Sequence, residues 1–157
     1  MTSSILRTDI ESQLKSAAAA VPGTSYLEPT KVGWMITFDD GIRVELKKGS
    51  SGQGIFLSSE IGKPPPDREL DILRALLSYT LLWRESGGVV AALDPESGKF
   101  LLQYEWRGKP DRSDQLQVVL ENLAGLSRWW ARVISHANER GTDATIPFLH
   151  ADISFRV

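Results

Sequence analysis

Ile10, Leu14, Ala17 and Val21 recur at spacings of four, three and four, which is one stripe of an α-helix. Ser4 or Thr8 stands where a cap is needed, and Pro22-Gly23 stops the run. The segment 23–30, carrying Gly23 and Pro29, reads as a loop. The period then changes to two. Val32, Trp34, Ile36 and Phe38 alternate with Gly33, Met35 and Thr37. After an Asp39-Asp40-Gly41 turn, Ile42, Val44 and Leu46 alternate with Arg43, Glu45 and Lys47. A glycine- and serine-rich loop over 49–54 leads to a third strand at Ile55-Phe56-Leu57, which fades near Ile61-Gly62. Successive strands of this kind predict an antiparallel meander with one buried and one wet face.

Lys63-Pro64-Pro65-Pro66-Asp67 is the sharpest break in the chain, and it reads as a rigid lead into a helix over 67–86 with Asp67 as N-cap. That helix carries two apolar stripes: Leu70, Leu73, Leu77 and Leu81 on one, Ile72, Leu76, Tyr79 and Trp83 on the other. A helix apolar on two faces buries both. One is expected against the chain's own sheet, the other against a further helix or another subunit. Gly87-Gly88 ends the helix. A hairpin follows, Val89, Ala91 and Leu93 against Phe100, Leu102, Tyr104 and Trp106, around an Asp94-to-Gly98 turn. Val90, Ala92 and Leu101 add apolar residues on the opposite faces, so this hairpin is expected to be more buried than the meander. Leu116, Val119, Leu120, Leu123, Leu126, Trp130, Ile134 and Ala137 then repeat at three and four, a helix capped by Asp111 or Ser113 and stopped by Gly141. The expected architecture is one α+β domain over 1–141: helix, three-strand meander, helix, two-strand hairpin, helix. A tail, 142–157, alternates Ile153, Phe155 and Val157 and suits an extra strand or an arm.

Composition narrows the chemistry. With 157 residues the chain makes about one domain, and 41% hydrophobic against 24% charged residues excludes a wholly disordered one. Lys and Arg total 18 against 20 Asp and Glu, without a basic block, so no nucleic-acid partner is expected. Cysteine is absent, which removes disulfides, thiolate metal sites and thiol catalysis. No apolar run approaches the ~18 residues of a membrane span, and the N-terminal residues lack a secretory apolar region, so no membrane insertion is expected. His136 and His150 have no carboxylate or second histidine at ligand spacing, and His136 sits where a histidine favours the helix dipole. Asp39-Asp40 and Asp67-Arg68-Glu69 occupy turn and cap positions, where carboxylates serve local hydrogen bonds. The Gly49-to-Gly54 loop lacks the Lys-Ser/Thr pair and the following helix of a phosphate loop. The expectation is therefore no catalytic group, no metal and no cofactor. Trp129 and Trp130 lie ~100° apart around a helix, so one of them belongs at a boundary.

Leu76-Leu77-Ser78-Tyr79-Thr80-Leu81-Leu82-Trp83-Arg84-Glu85-Ser86-Gly87-Gly88, then Leu93-Asp94-Pro95-Glu96-Ser97-Gly98, then Leu101-Leu102, carry a resemblance. With the element order and acidic balance, residues 5 to 138 resemble the class I type III secretion chaperones, the Tir-chaperone (CesT-like) family. That family shows a Leu-Leu helix ending, a Gly-rich break, an apolar strand and an Asp-x-x-x-Gly turn. It often has Asn where Thr80 stands, and the tail is additional. The resemblance implies a homodimer in the bacterial cytoplasm that binds the N-terminal segment of a secreted effector and keeps it extended without ATP. It also leaves room for the ATPase of the secretion apparatus as a partner. The two-striped helix fits a twofold-related copy, and Leu76, Thr80, Trp83, Val90 and Ala92 are assigned to that interface. Leu6, Ile10, Leu14, Met35 and Phe56 are assigned to the effector, on the first helix and on strand faces opposite the main alternation. The other readings are a non-catalytic α+β ligand-binding or adaptor module and an enzyme with a polar site hidden by the fold.

Overall fold

A computed structural model of the chain describes residues 2–49, 54–82, 87–107 and 113–140. Trp83, the tail from 141 onward and the side chains of Leu6 and Ile10 lie outside the described residues. The elements run α1 (Thr2–Ala20), β1 (Thr24–Pro29), β2 (Gly33–Phe38), β3 (Arg43–Lys48), β4 (Ile55–Gly62), α2 (Glu69–Leu81), β5 (Val90–Leu93), β6 (Phe100–Trp106) and α3 (Ser113–Arg140). The strands form one antiparallel sheet in the order β1-β2-β3-β4-β6-β5.

The period-two pattern decides which face of the sheet is covered. Trp34, Ile36 and Phe38, Val44 and Leu46, Ile55 and Leu57, and Phe100, Leu102 and Trp106 are all buried. Register sets them opposite one another, as in Trp34↔Leu46 and Leu46↔Leu57, so they share a face. α3 lies across β4 and β6 on that face, with α1 packed against α3 and β1. Leu116, Leu120, Leu123, Trp130 and Ile134 of α3 join Leu14, Ala17 and Ala18 of α1 in a single core. α2 packs beside β5 and sends Ile72, Leu76 and Tyr79 into the same core. The ring of Tyr79 meets Trp130 edge-on at 6.0 Å, and Trp129 meets Trp130 at 5.0 Å. Trp130 is fully buried and Trp129 half-buried, the division expected of two adjacent helical tryptophans.

The structure corrects the sequence reading in four places. Residues 24–29 are a strand, not a loop; β1 was hidden because its burial does not alternate and its pairing to β2 is broken by a bulge between Thr24 and Tyr26. The meander therefore has four strands, and β4 pairs with β6, fusing meander and hairpin into one sheet. The hairpin is not uniformly more buried than the meander: β6 is interior, whereas β5 is an edge with Val90 and Leu93 exposed. The N-cap of α2 is Arg68 rather than Asp67, and it makes no side-chain capping bond. The Asp94 turn forms as read. Asp94 accepts from the Glu96 N–H and the Ser97 hydroxyl, and Gly98, at φ 68°, takes the left-handed conformation that closes the hairpin.

Candidate partner-binding surfaces

α2 carries apolar residues on two opposite faces, with Asp71, Arg74 and Ser78 on a polar strip between them. At 100° per residue, Ile72, Leu76 and Tyr79 fall opposite Leu70, Leu77 and Leu81. The first set is buried; Leu70, Leu77 and Leu81 are 57%, 59% and 80% exposed. Leu82 beyond the helix and Val90 and Leu93 on neighbouring β5 are exposed as well. Leucines at this exposure form the kind of contiguous apolar patch that marks an interaction surface. Of the residues assigned to the interface from sequence, Leu76 is wholly inside the chain and offers no surface to a partner. Val90 is exposed and Ala92 half-buried. The sequence did show both stripes. In the folded chain half-buried Leu73 and Ala75 flank Ile72 and Leu76 on the inward side.

Thr80 sits between the two faces of α2. Its hydroxyl oxygen accepts a hydrogen bond from the Ala91 N–H of β5 at 3.1 Å. The helix is thus tied to the outer rim of the sheet at one edge. At the other edge lies β1, six residues long, with Tyr26 54% exposed.

The face of the sheet turned away from α1 and α3 holds Met35 and Phe56, as the alternation requires. Register places Met35 between Glu28 and Glu45, and Phe56 between Lys47 and Glu105. Both are half-buried. Ion pairs fringe them: Glu45–Lys47 at 2.8 Å, Glu105–Arg107 at 2.6 Å and Glu60–Lys99 at 2.8 Å. Leu14, assigned to the same surface from sequence, is instead buried in the core, because α1 turns its stripe onto α3 and the sheet.

A groove of about 430 Å³ opens between the end of β6 and the first turns of α3, lined by Tyr104, Trp106, Val118 and Val119 with Glu105, Arg107 and Asp114 around it. Burial there raises the Tyr104 phenol above its ordinary pKa. On the far side of α3, Arg128 pairs with Asp40 of the β2–β3 turn and covers the Phe38 ring at 5.1 Å. His136 makes an exposed contact with Glu139 at 3.6 Å on its own helix. Among the described residues, no group of three or more His, Cys, Asp or Glu is placed to hold a metal ion, and no helix is long and apolar enough to cross a membrane.

These features define a two-layer α+β domain with exposed apolar residues along α2 and on the sheet edges, and with half-buried Met35 and Phe56 on the sheet face turned away from α1 and α3. Residues 33–131 match the Tir chaperone protein (CesT) family, and the chain belongs to that family. No curated protein sequence matches the chain. Among solved structures, the ExsC-ExsE complex contains a chain of like fold, with a TM-score of 0.60 and 18% identity, covering 85% of this chain and 96% of that one. The HopA1-SchA chaperone-effector complex contains another, with a TM-score of 0.59 and 16% identity over 81% of this chain and 93% of that one.

Proposed function

We propose that the chain is a type III secretion chaperone of the bacterial cytoplasm that binds the N-terminal segment of a secreted effector and holds it extended, by binding alone and without ATP or catalysis. Membership of the Tir chaperone family carries this reading. A like fold occurs in a chaperone-effector complex. An extended client gains main-chain hydrogen bonds at a sheet edge and seats alternate side chains in apolar pockets. The sheet face with Met35 and Phe56, the β1 edge and the Tyr104–Trp106 groove supply such places. The working form is a homodimer that covers Leu70, Leu77 and Leu81. Obligate interfaces of this kind are largely apolar and commonly exceed ~2,000 Å² in total.

The test is a pull-down from the native cytosol with mass spectrometry, followed by limited proteolysis of what co-elutes. The expected result is one or a few proteins retained through a protease-resistant N-terminal segment, with no effect of added ATP and Mg²⁺. A client held as a compact folded domain, or release that requires ATP hydrolysis by this chain, overturns the reading. A non-catalytic ligand-binding module is the second reading, favoured by the 430 Å³ groove. A small apolar molecule that co-purifies with a monomer brings it to the front.

A further inference from the structure

We propose that the groove between the β2–β3 turn and the second half of α3 seats an acidic segment of a protein partner, held by Arg128 and Arg132. The proposal is independent of the client-binding reading and of the dimer. The groove measures about 390 Å³, with Asp40 and Ile42 on one side and Arg128, Ala131, Arg132 and Ser135 of α3 on the other. Residues 128, 132 and 135 are four and three apart, so one face of α3 turns two guanidinium groups and a hydroxyl into the same space. Arg128 is held in place: its Nε–H donates to the Asp40 carboxylate, and its guanidinium lies 5.1 Å from the centre of the Phe38 ring. Phe38 is itself buried in the core, so the arginine rests on close-packed ground. A guanidinium carries five N–H donors, and Asp40 is the one acceptor that Arg128 meets among the described residues. Donors are left over on a side chain whose position is already set. Arg132 is exposed and has no ion-pair partner among the described residues. Its own helix gives no reason for it. Like charges four apart weaken a helix, and the end whose dipole favours a cation lies about two turns away, at Arg140. Glu139, the next carboxylate along α3, is engaged with the Ser135 hydroxyl at 3.3 Å and with His136 at 3.6 Å. Two arginines against Asp40 leave the lining net positive. The planar fork of a guanidinium matches the two oxygens of a carboxylate. Half-buried Ile42 and Ala131 add an apolar wall, so an Asp or Glu beside an aliphatic side chain uses the whole groove and a bare anion uses only part of it. The place is also clear of the surfaces described above. The β2–β3 turn stands away from β5 and α2 in the strand order, and α3 covers the sheet face opposite Met35 and Phe56. A partner seated here leaves the α2 leucines and that sheet face open.

The test uses the full chain and amide shifts read by nuclear magnetic resonance. The probe is the peptide acetyl-Asp-Leu-Glu-Asp-Leu-Glu-amide, and its neutral counterpart acetyl-Asn-Leu-Gln-Asn-Leu-Gln-amide is the control. The acidic peptide is expected to shift Ile42, Ala131, Arg132 and Ser135 and to bind about tenfold more tightly than the neutral one. Arg132→Gln, at an exposed position that leaves the fold intact, is expected to weaken it about tenfold. Arg132→Lys keeps the charge, loses the fork and is expected to fall between the two. Salt at 1 M is expected to remove most of the binding. Equal affinity for both peptides overturns the proposal, as does equal affinity of the parent and Arg132→Gln. Shifts that fall instead on Leu77 and Val90, or on Met35 and Phe56, overturn it too, and so does the absence of any shift at millimolar peptide. Inorganic phosphate that matches the acidic peptide in affinity and in the residues it moves also overturns it, because the groove is then a site for a free anion and not for a partner chain. Each of these outcomes leaves the client-binding reading to its own pull-down.

Discussion

α2 and α3 are both leucine-rich helices on the same domain, and they treat their leucines differently. In α3, Leu116, Leu120, Leu123 and Leu126 are all buried, because the helix lies across the middle of the sheet with α1 alongside. In α2, Leu76 is buried while Leu70, Leu77 and Leu81 face out, because the helix flanks the β5 edge and, among the described residues, only one side is packed against the rest of the domain. Burying a leucine side chain contributes ~1.5–3 kcal/mol relative to leaving it in water. α3 takes that stabilisation within one chain. α2 leaves three such side chains without it, and a second polypeptide is the natural way to recover it.

Neighbouring residues on α2 give the sharpest way to break this comparison. Leu76 and Leu77 are adjacent in sequence and on different faces. Leu76→Glu places a carboxylate in the core beside Ile72 and Tyr79, at a cost of several kcal/mol that a domain of this size does not survive. The expected outcome is loss of the folded state by circular dichroism. A folded Leu76→Glu chain breaks the assignment of that stripe to the interior.

Trp130→Ala tests the α3 side and the joint between the two helices. Trp130 is fully buried and touches both Trp129 and Tyr79, so truncation leaves a large cavity where α2 is anchored. Changes of this type cost ~3–5 kcal/mol, and at ~2–4 °C per kcal/mol the melting temperature falls by about 10 °C. Denaturant titration measures it. A loss under ~1 kcal/mol means that α2 is held by something other than this aromatic joint.

Leu77→Glu is expected to act differently. Leu77 is 59% exposed, so the charge stays solvated and the chain keeps its fold. The proposed dimer does not tolerate it, because a carboxylate buried at an apolar interface stays unpaired. Light scattering is expected to read twice 17.4 kDa for the parent and 17.4 kDa for the variant, with helical content unchanged. A parent already at 17.4 kDa removes the need for a second copy and leaves the leucine row to another partner.

How much of this was legible in the sequence depends on the element. The α3 stripe, the β2–β3 alternation and the Asp94 turn were readable because each rests on local chemistry: a repeat of three and four, a repeat of two, a left-handed glycine. β1 was not, because an edge strand pairs on one side only and has little burial to impose alternation on Tyr26, Leu27 and Glu28. The pairing of β4 with β6 was not legible either, since it joins residues 38 to 51 apart across α2. For the candidate surfaces, Met35 and Phe56 followed from strand parity. The two stripes of α2 followed from helical spacing, but which stripe faced inward depended on the position of Tyr79 against Trp130, and that contact is set by tertiary packing. The Thr80–Ala91 bond is tertiary in the same way.

The smallest effect concerns the polar fastening of α3, and it sharpens the claim that α3 is held by apolar burial. Burial on its own raises the Asp40 pKa, but the hydrogen bond from Arg128, the Ile42 N–H and the Arg128 charge outweigh it, so the carboxyl is held below its ordinary value of 3.8. A carboxylate depressed in the folded state contributes stability that is fully present above its unfolded pKa, near 3.8, and is lost as the pH falls through the lower folded value. The two side chains are 34% and 42% exposed, so solvent screens the pair and its contribution stays within a fraction of a kcal/mol. Asp94 is shifted in the same direction by the Ser97 hydroxyl and the Glu96 N–H, and it contributes equally to parent and Asp40→Asn chains. The difference between those two chains therefore isolates Asp40. Urea midpoints at pH 7 are expected to favour the parent slightly, and the gap should close as the pH drops below 3.8. It should also narrow in 1 M salt, because partly exposed charges are screened over a few ångströms there. A gap of several kcal/mol at pH 7, or one that widens on acidification, means that the Arg128–Asp40 fastening, and not the leucine stripe, sets how α3 sits on the sheet.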